Sequence, residues 1–409
     1  MISWNRQPQT VLLLWAALAL TLLLGVLEAV PMAADAGKLV LDGLWLVMLI
    51  YLLKFARDAF DNTLWIFAGW ILCFLLAASL TAAVQRVKPW FYLWGLRSNF
   101  RFYVIFLGAG AFFRPQDREN LHRILEWLFW LNVPVTLVQF FFLGIQGDNL
   151  GGLLGTYSGV NGSTTLFFTV VLVHSILHFL EGTESMVRCF GKCLWALLIA
   201  AMAELKFFFV LFLVILLLAV PGRELSWRKL WLVLGGVAAA VAGAAILILV
   251  FPRFRGWFSL GWLWRMAASA TGYTGAGDLN RLNAISSIDA LFFPHWYQRI
   301  FGIGLGACET SAVSFLTTPF FHSHGWLHYH WMSHSFWYLE GGWVGLAFFF
   351  GFFLLVYCRA GRDFYGRQSR ILALCCLLIG IYNASLRTEM AVLVYTVLAF
   401  PVAGKEEMG

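Results

Sequence analysis

Runs of roughly 15–22 apolar residues recur along most of this chain, the length a helix needs to cross a hydrocarbon layer about 30 Å thick. Lipid offers backbone amides no hydrogen-bond partner, so such runs are stable there only as helices or as closed barrels. A barrel would alternate apolar and polar residues in strands of about ten, and that alternation is absent. The overall balance agrees, since 61% of the 409 residues are hydrophobic and 12% charged, which excludes an ordinary soluble domain. The expectation is an all-α polytopic membrane protein.

The runs fall at 11–30, 39–53, 63–83, 100–113, 124–145, 164–181, 193–203, 207–220, 230–251, 336–357, 371–385 and 389–403. They give about twelve crossings with both termini on one side. The first run follows only Arg6 and is longer than a signal core, so a retained helix is expected there despite Ala34-Asp35-Ala36. The chain divides into 1–251 with nine crossings, a long loop at 252–335, and 336–409 with three more crossings and a short tail. Basic residues concentrate in loops on the side of the termini, Arg114, Arg118 and Arg123 and then Arg359, Arg362, Arg367 and Arg370 among them. The bias of Lys and Arg toward cytoplasmic loops puts the termini inside and the long loop outside.

One segment breaks that bias. QRVKPWFYLWGLRSNFR, residues 85–101, puts Arg86, Lys88, Arg97 and Arg101 on the outer side. It reads either as a site for an anionic partner or as interfacial snorkelling beside a belt of Trp90, Tyr92 and Trp94. The glycine-rich loop 147–163 matches no phosphate-binding loop and reads as a surface or re-entrant turn. Glu204 and Lys206 lie between two short apolar runs, where charges so near hydrocarbon are paired or functional. Asp42 lies within the second run, and His174 and His178 share one face of the sixth. Seven scattered cysteines give no metal spacing and no disulfide framework.

The long loop is rich in aromatic residues, among them Trp257, Trp262, Trp264, Tyr273, Trp326 and Trp331. Flat aromatic faces suit the apolar faces of sugar rings, and an interfacial belt has the same composition. GDLNRLNAISSIDALF predicts a short amphipathic helix from near Asp278 with Arg281 in its first turn, and FGIGLGACETS predicts a tight loop. The loop closes on HSHGWLHYHWMSHSFWYLEGGWVGL, residues 322–346, which holds five of the nine histidines. Its two His-x-His pairs fit a metal site in spacing, but no Cys or Asp-rich partner accompanies them. The other reading of this stretch is a catalytic base at a membrane-facing site.

These features together resemble the O-antigen ligase and Wzy-type polysaccharide polymerase superfamily. The resemblance spans roughly residues 130–400. It rests on the twelve runs, on the large loop before the last three, on Arg281 followed by Phe301-Gly-Ile-Gly-Leu-Gly306, and on His334-Ser335 followed by Glu340-Gly341-Gly342 and Gly345. Glu204-Leu205-Lys206 stands where the family carries Ser-Arg, so a lysine replaces an arginine and its bidentate fork is lost. The interval from His334 to Glu340 is shorter than the family's, which keeps His330 as a second candidate base.

The resemblance implies a GT-C-like fold and a metal-independent glycosyltransferase. It would move a glycan from a polyprenyl (undecaprenyl) diphosphate donor to a glycan or lipid-core acceptor hydroxyl. The expected setting is the outer side of a bacterial cytoplasmic membrane, with the lipid bilayer as surroundings. No cofactor and no nucleic-acid partner are expected. Polymerisation of surface polysaccharide is the first expectation and ligation to lipid A-core the second, with transport as the rival class. His334, with His330 as its rival, would be the base. Arg281 and Lys206, with Arg97, Arg101 and Arg387, would hold the diphosphate, and Glu340 would orient the histidine or support the site.

Overall fold

The computed structural model describes residues 8–28, 30–220, 226–252, 277–311 and 313–402, with positions 255, 261, 269 and 272 between them. Among these residues the chain is helical and has no strand. Nine helices precede the long loop: α1 (Pro8–Leu27), α2 (Pro31–Ala59), α3 (Asn62–Val84), α4 (Pro89–Phe112), α5 (Pro115–Phe141), α6 (Val160–Glu181), α7 (Met186–Met202), α8 (Lys206–Ala219) and α9 (Trp227–Val250). The loop contributes α10 (Ala284–Phe292), α11 (Trp296–Phe301) and α12 (Pro319–His324). It is followed by α13 (Ser333–Arg359), α14 (Phe364–Tyr382) and α15 (Ala391–Leu398).

Local chemistry explains where several helices begin. Asp61, Ser185 and Ser226 cap α3, α7 and α9 by accepting from backbone N–H groups one turn on. Pro89 and Pro115 open α4 and α5, where a missing N–H costs nothing. Every apolar run of the sequence contains a helix, and among the described residues eight helices are long and apolar enough to cross a membrane: α1, α2, α3, α5, α6, α9, α13 and α14. α6 is the most enclosed of these, whereas α2 and α9 keep most of their apolar side chains on the outside. Leu39, Ile50, Leu53, Val241 and Leu249 are exposed there, a surface suited to lipid and not to water.

Three expectations are corrected and a fourth is narrowed. The run at 389–403 holds only the eight-residue α15, about 12 Å long at 1.5 Å per residue, too short to cross. The run at 100–113 is the second half of α4, which starts at Pro89. Arg97 and Arg101 are therefore helical residues one turn apart, turned into the bundle, and not part of a surface loop. The helix expected from Asp278 starts at Ala284, and Arg281 sits in a turn before it. Asn280 explains the delay, since its side chain accepts from Leu282 N at 3.0 Å and so favours a turn over a helix. The loop at 147–163, expected as a surface or re-entrant turn, folds back into the bundle over 150–155, where Asn132 accepts from Leu153 N and Gln139 exchanges two hydrogen bonds with Gly152, while Asp148, Asn149, Thr156 and Ser158 stay exposed. Trp257, Trp262, Trp264 and Tyr273, and Arg6 ahead of the first run, lie outside the described residues.

Candidate functional site

Residues 277–311 and 313–332 pack over the end of the bundle where α4, α8 and α13 begin and α14 finishes, the loop-covered end. What fixes them there is an interlock of backbones. α13 is kinked at Gly342, whose φ of +58° with ψ of −150° is open essentially to glycine alone. The turn after α11 fits into that kink: Ile303 N donates to Leu339 O at 2.9 Å and Gly304 N to Glu340 O at 3.0 Å. A Cβ on Gly302 or Gly342 would overlap the facing backbone.

Glu340 belongs to this interlock. Its side chain is buried, and Oε1 accepts from Cys308 N at 2.9 Å while Tyr329 OH donates to Cys308 O at 2.8 Å. The carboxylate is thus engaged in holding the loop. The short His334–Glu340 interval spans the first part of α13 and ends at its kink.

His334 stands in the first turn of α13, buried, with its imidazole against the backbone of Arg281, Gly380 and Ile381. Arg281 donates from Nε to Tyr382 O at 2.8 Å and lies 4.8 Å over the Tyr382 ring. That ring stacks on Phe207 at 4.1 Å, which brings the start of α8 to the same place. Lys206 Nζ is 3.9 Å from Glu204. His334, Arg281 and the helix that opens with Lys206 therefore meet around the last turn of α14. Ser333 ties α13 to the same turn through two hydrogen bonds to Asn383 O.

A second group lies along the segment 383–390 that leaves α14. Arg97 grips Asp42 through both Nε and NH2. Arg101 donates from NH2 to Glu389 at 3.0 Å and has NH1 3.6 Å from Asp42. Arg387 donates to Asn99 Oδ1 at 3.1 Å and to Glu309 Oε1 at 3.2 Å, and its guanidinium covers the Phe336 ring. Asn99 Nδ2 also donates to Glu309 Oε1, at 2.9 Å. Arg101 is only 4% exposed, yet its Nε and NH1 make no hydrogen bond. Buried donors are nearly always satisfied, so these two stand out.

His330 sits near this second group, edge-on to Phe321 at 5.1 Å. Burial, with the charges of His328 and Arg387 close by, holds its imidazole down to about 4. Nδ1 of both His330 and His334 is buried without a hydrogen-bond partner.

The eight side chains singled out in the sequence thus gather at one end of the bundle, in two groups joined by residues 382–389. The acidic and amide partners Asn99, Glu309 and Glu389 are not among the residues that the sequence singles out, and Asp42 carries no assigned role there. Two signals point to them: a lone acid in a glycine-rich, apolar loop, Glu309, and an Asn between Arg97 and Arg101. Among the described residues no group of three or more His, Cys, Asp or Glu side chains has metal-holding geometry. The fold and site define a multi-helix membrane protein with a buried cationic cluster and two flanking imidazoles. No family model matches the chain, and no curated protein matches it.

Proposed function

We propose that the chain is a membrane glycosyltransferase moving a glycan from a polyprenyl diphosphate donor to an acceptor hydroxyl. In this reading it has a GT-C-like arrangement of about twelve crossings in a bacterial cytoplasmic membrane. The loop-covered end faces the extracytoplasmic side. The observation that carries the reading is the pairing, at that one end, of a buried imidazole beside Arg281 with a buried arginine cluster whose donors are not all used.

The chemistry needs both parts. His334 accepts the proton of the acceptor hydroxyl as its oxygen bonds to the anomeric carbon. The bond from that carbon to the diphosphate oxygen breaks, and the departing polyprenyl diphosphate carries the electron pair. Arg281 and Lys206 receive that charge where water is scarce, with Arg97, Arg101 and Arg387 beside them. His330, held down to about 4, is too weak a base to favour at neutral pH, which leaves His334 the better choice. Glu340 contributes by fixing the loop that carries Cys308 and Glu309.

Polymerisation of surface polysaccharide repeat units is the preferred form. Ligation to lipid A-core uses the same leaving group and differs in the acceptor. Reconstitution with a polyprenyl-diphosphate glycan tests the reading: donor should be consumed, glycan extended, and His334→Ala should lower transfer by about 10²–10⁴-fold while the protein stays folded. Movement of the glycan lipid across the bilayer with no donor consumed would instead make the protein a transporter.

A further inference from the structure

The arginine cluster is neutral as it stands. Arg97, Arg101 and Arg387 face Asp42, Glu389 and Glu309. A phosphate group entering it unchanged would meet as many negative charges as positive ones. One of the three carboxylates differs from the others in how it is held. Asp42 is on the long membrane helix α2 and is gripped by two arginines. Glu389 pairs with Arg101 beside α15. Glu309 comes from the loop between α11 and α12, is 4% exposed, and places a single oxygen, Oε1, against both Asn99 and Arg387.

The groups facing Glu309 come from four directions. Arg97, Asn99 and Arg101 approach from α4, Arg387 from the segment after α14, Glu340 from α13, and Cys308 and Tyr329 from the loop itself. Burial pushes the Glu309 carboxyl up from its ordinary value, and Arg387 and Asn99 only partly pull it back.

We propose that Glu309 is a stand-in for a ligand's phosphate: a diphosphate binds the Arg97–Arg101–Arg387 cluster together with one proton, which Glu309 takes up as it yields the Arg387 guanidinium. The proton comes from solvent, the carboxylate becomes a carboxylic acid, and the cluster gains one net positive charge as the anion arrives. The proposal rests on reading this cluster as the diphosphate site.

The sign of the pH effect follows. The anion prefers the protein with Glu309 protonated, so anion binding and proton binding reinforce each other. Anion affinity should therefore rise as pH falls toward the raised Glu309 value, by at most roughly tenfold per unit for one proton. Glu309→Gln keeps an oxygen for Asn99 and Arg387 but has no charge to lose. It should bind the anion tightly at all pH values.

The test uses the full chain in detergent, with inorganic pyrophosphate for affinity and inorganic sulfate as a dianion that does not titrate between about pH 5 and 8. The expected result is tighter sulfate binding at pH 5.5 than at pH 8 in the unsubstituted protein. Glu309→Gln should bind pyrophosphate more tightly at pH 8 and lose the pH dependence of sulfate binding. Where that variant fails to fold, infrared difference spectra of the unsubstituted protein decide: pyrophosphate added at pH 7 should bring in the carbonyl band of a protonated carboxyl group, and its absence overturns the proposal. Binding that is equally tight at both pH values, or a pH dependence that survives in Glu309→Gln, overturns it too and leaves the diphosphate site standing. No binding of either anion to either protein removes the diphosphate site itself.

Discussion

The two ends of the bundle bury charge in different ways. Opposite the loop-covered end, Lys192 of α7 is 3% exposed and holds two carboxylates, Glu126 at 2.8 Å and Glu184 at 2.9 Å. Ser175 donates to Glu184 at 2.8 Å. Next to it His122 and His174 stack at 3.6 Å, Gln368 lies 3.1 Å from His122, and a cavity of about 320 Å³ opens beside the rings. These side chains come from α5, α6, α7, α14 and the tight turn at 182–185. At the loop-covered end the cation held by two carboxylates is Arg101, which keeps one at 3.0 Å and the other at 3.6 Å and leaves Nε and NH1 unbonded. Its neighbours Glu309, Arg387 and Glu389 come from loops. Lys192 shares one of its two carboxylates with Arg188, which lies 3.4 Å from Glu126, whereas Arg101 keeps two buried donors without a hydrogen bond. In the proposed function that difference separates a clamp between helices from a site for an anion.

Substitutions can break this comparison or sharpen it. The largest expected effect is on activity: His334→Ala should lower glycan transfer by about 10²–10⁴-fold, the usual contribution of a general base, with thermal unfolding unchanged. Full activity in that variant would end the assignment. Lys192→Ala should act on stability instead. It leaves the nearly buried Glu184 without a cation, while Glu126 keeps Arg188, and should cost about 3 kcal/mol, measured as lost resistance to denaturant in detergent. If Lys192→Ala unfolds no more easily than the parent, the opposite end is not a clamp.

Gly342→Ala should come next. It forces a side chain into a backbone region worth about 1–3 kcal/mol of strain and pushes against the carbonyl of Arg299. The predicted outcome is lost stability together with lost transfer, because the displaced turn carries Glu309. Stability lost with transfer intact would separate the interlock from the site. The smallest effect should belong to Arg367→Ala. Its pair with Glu181 is 3.2 Å long but about a third exposed on each partner, so less than about 1 kcal/mol is expected.

Much of the helix pattern was legible because it is local. Each apolar run carries its own reason to be helical, since burying a backbone in lipid demands it. Where a polar signal competes, the local pattern misleads. Arg97 and Arg101 have the pattern of loop residues as long as their charges have no partners, yet Pro89 marks a helix start. Asn280 delayed α10 by a hydrogen bond that periodicity does not register. The candidate residues themselves were legible as types: His334 before a glycine-bearing helix, and Arg281 before a glycine turn.

Their arrangement was not. Arg101 meets a carboxylate 288 positions along the chain, and Asn99 meets one 210 positions along. No spacing rule reaches that far. The sequence by itself determined that this chain crosses lipid as helices, because the apolar runs and the lack of water leave the backbone no other choice. Only the tertiary structure decided which charges neutralise one another, which glycines let two backbones touch, and which donor was left over. Those depend on distances between elements, and such distances exist only once the helices have packed.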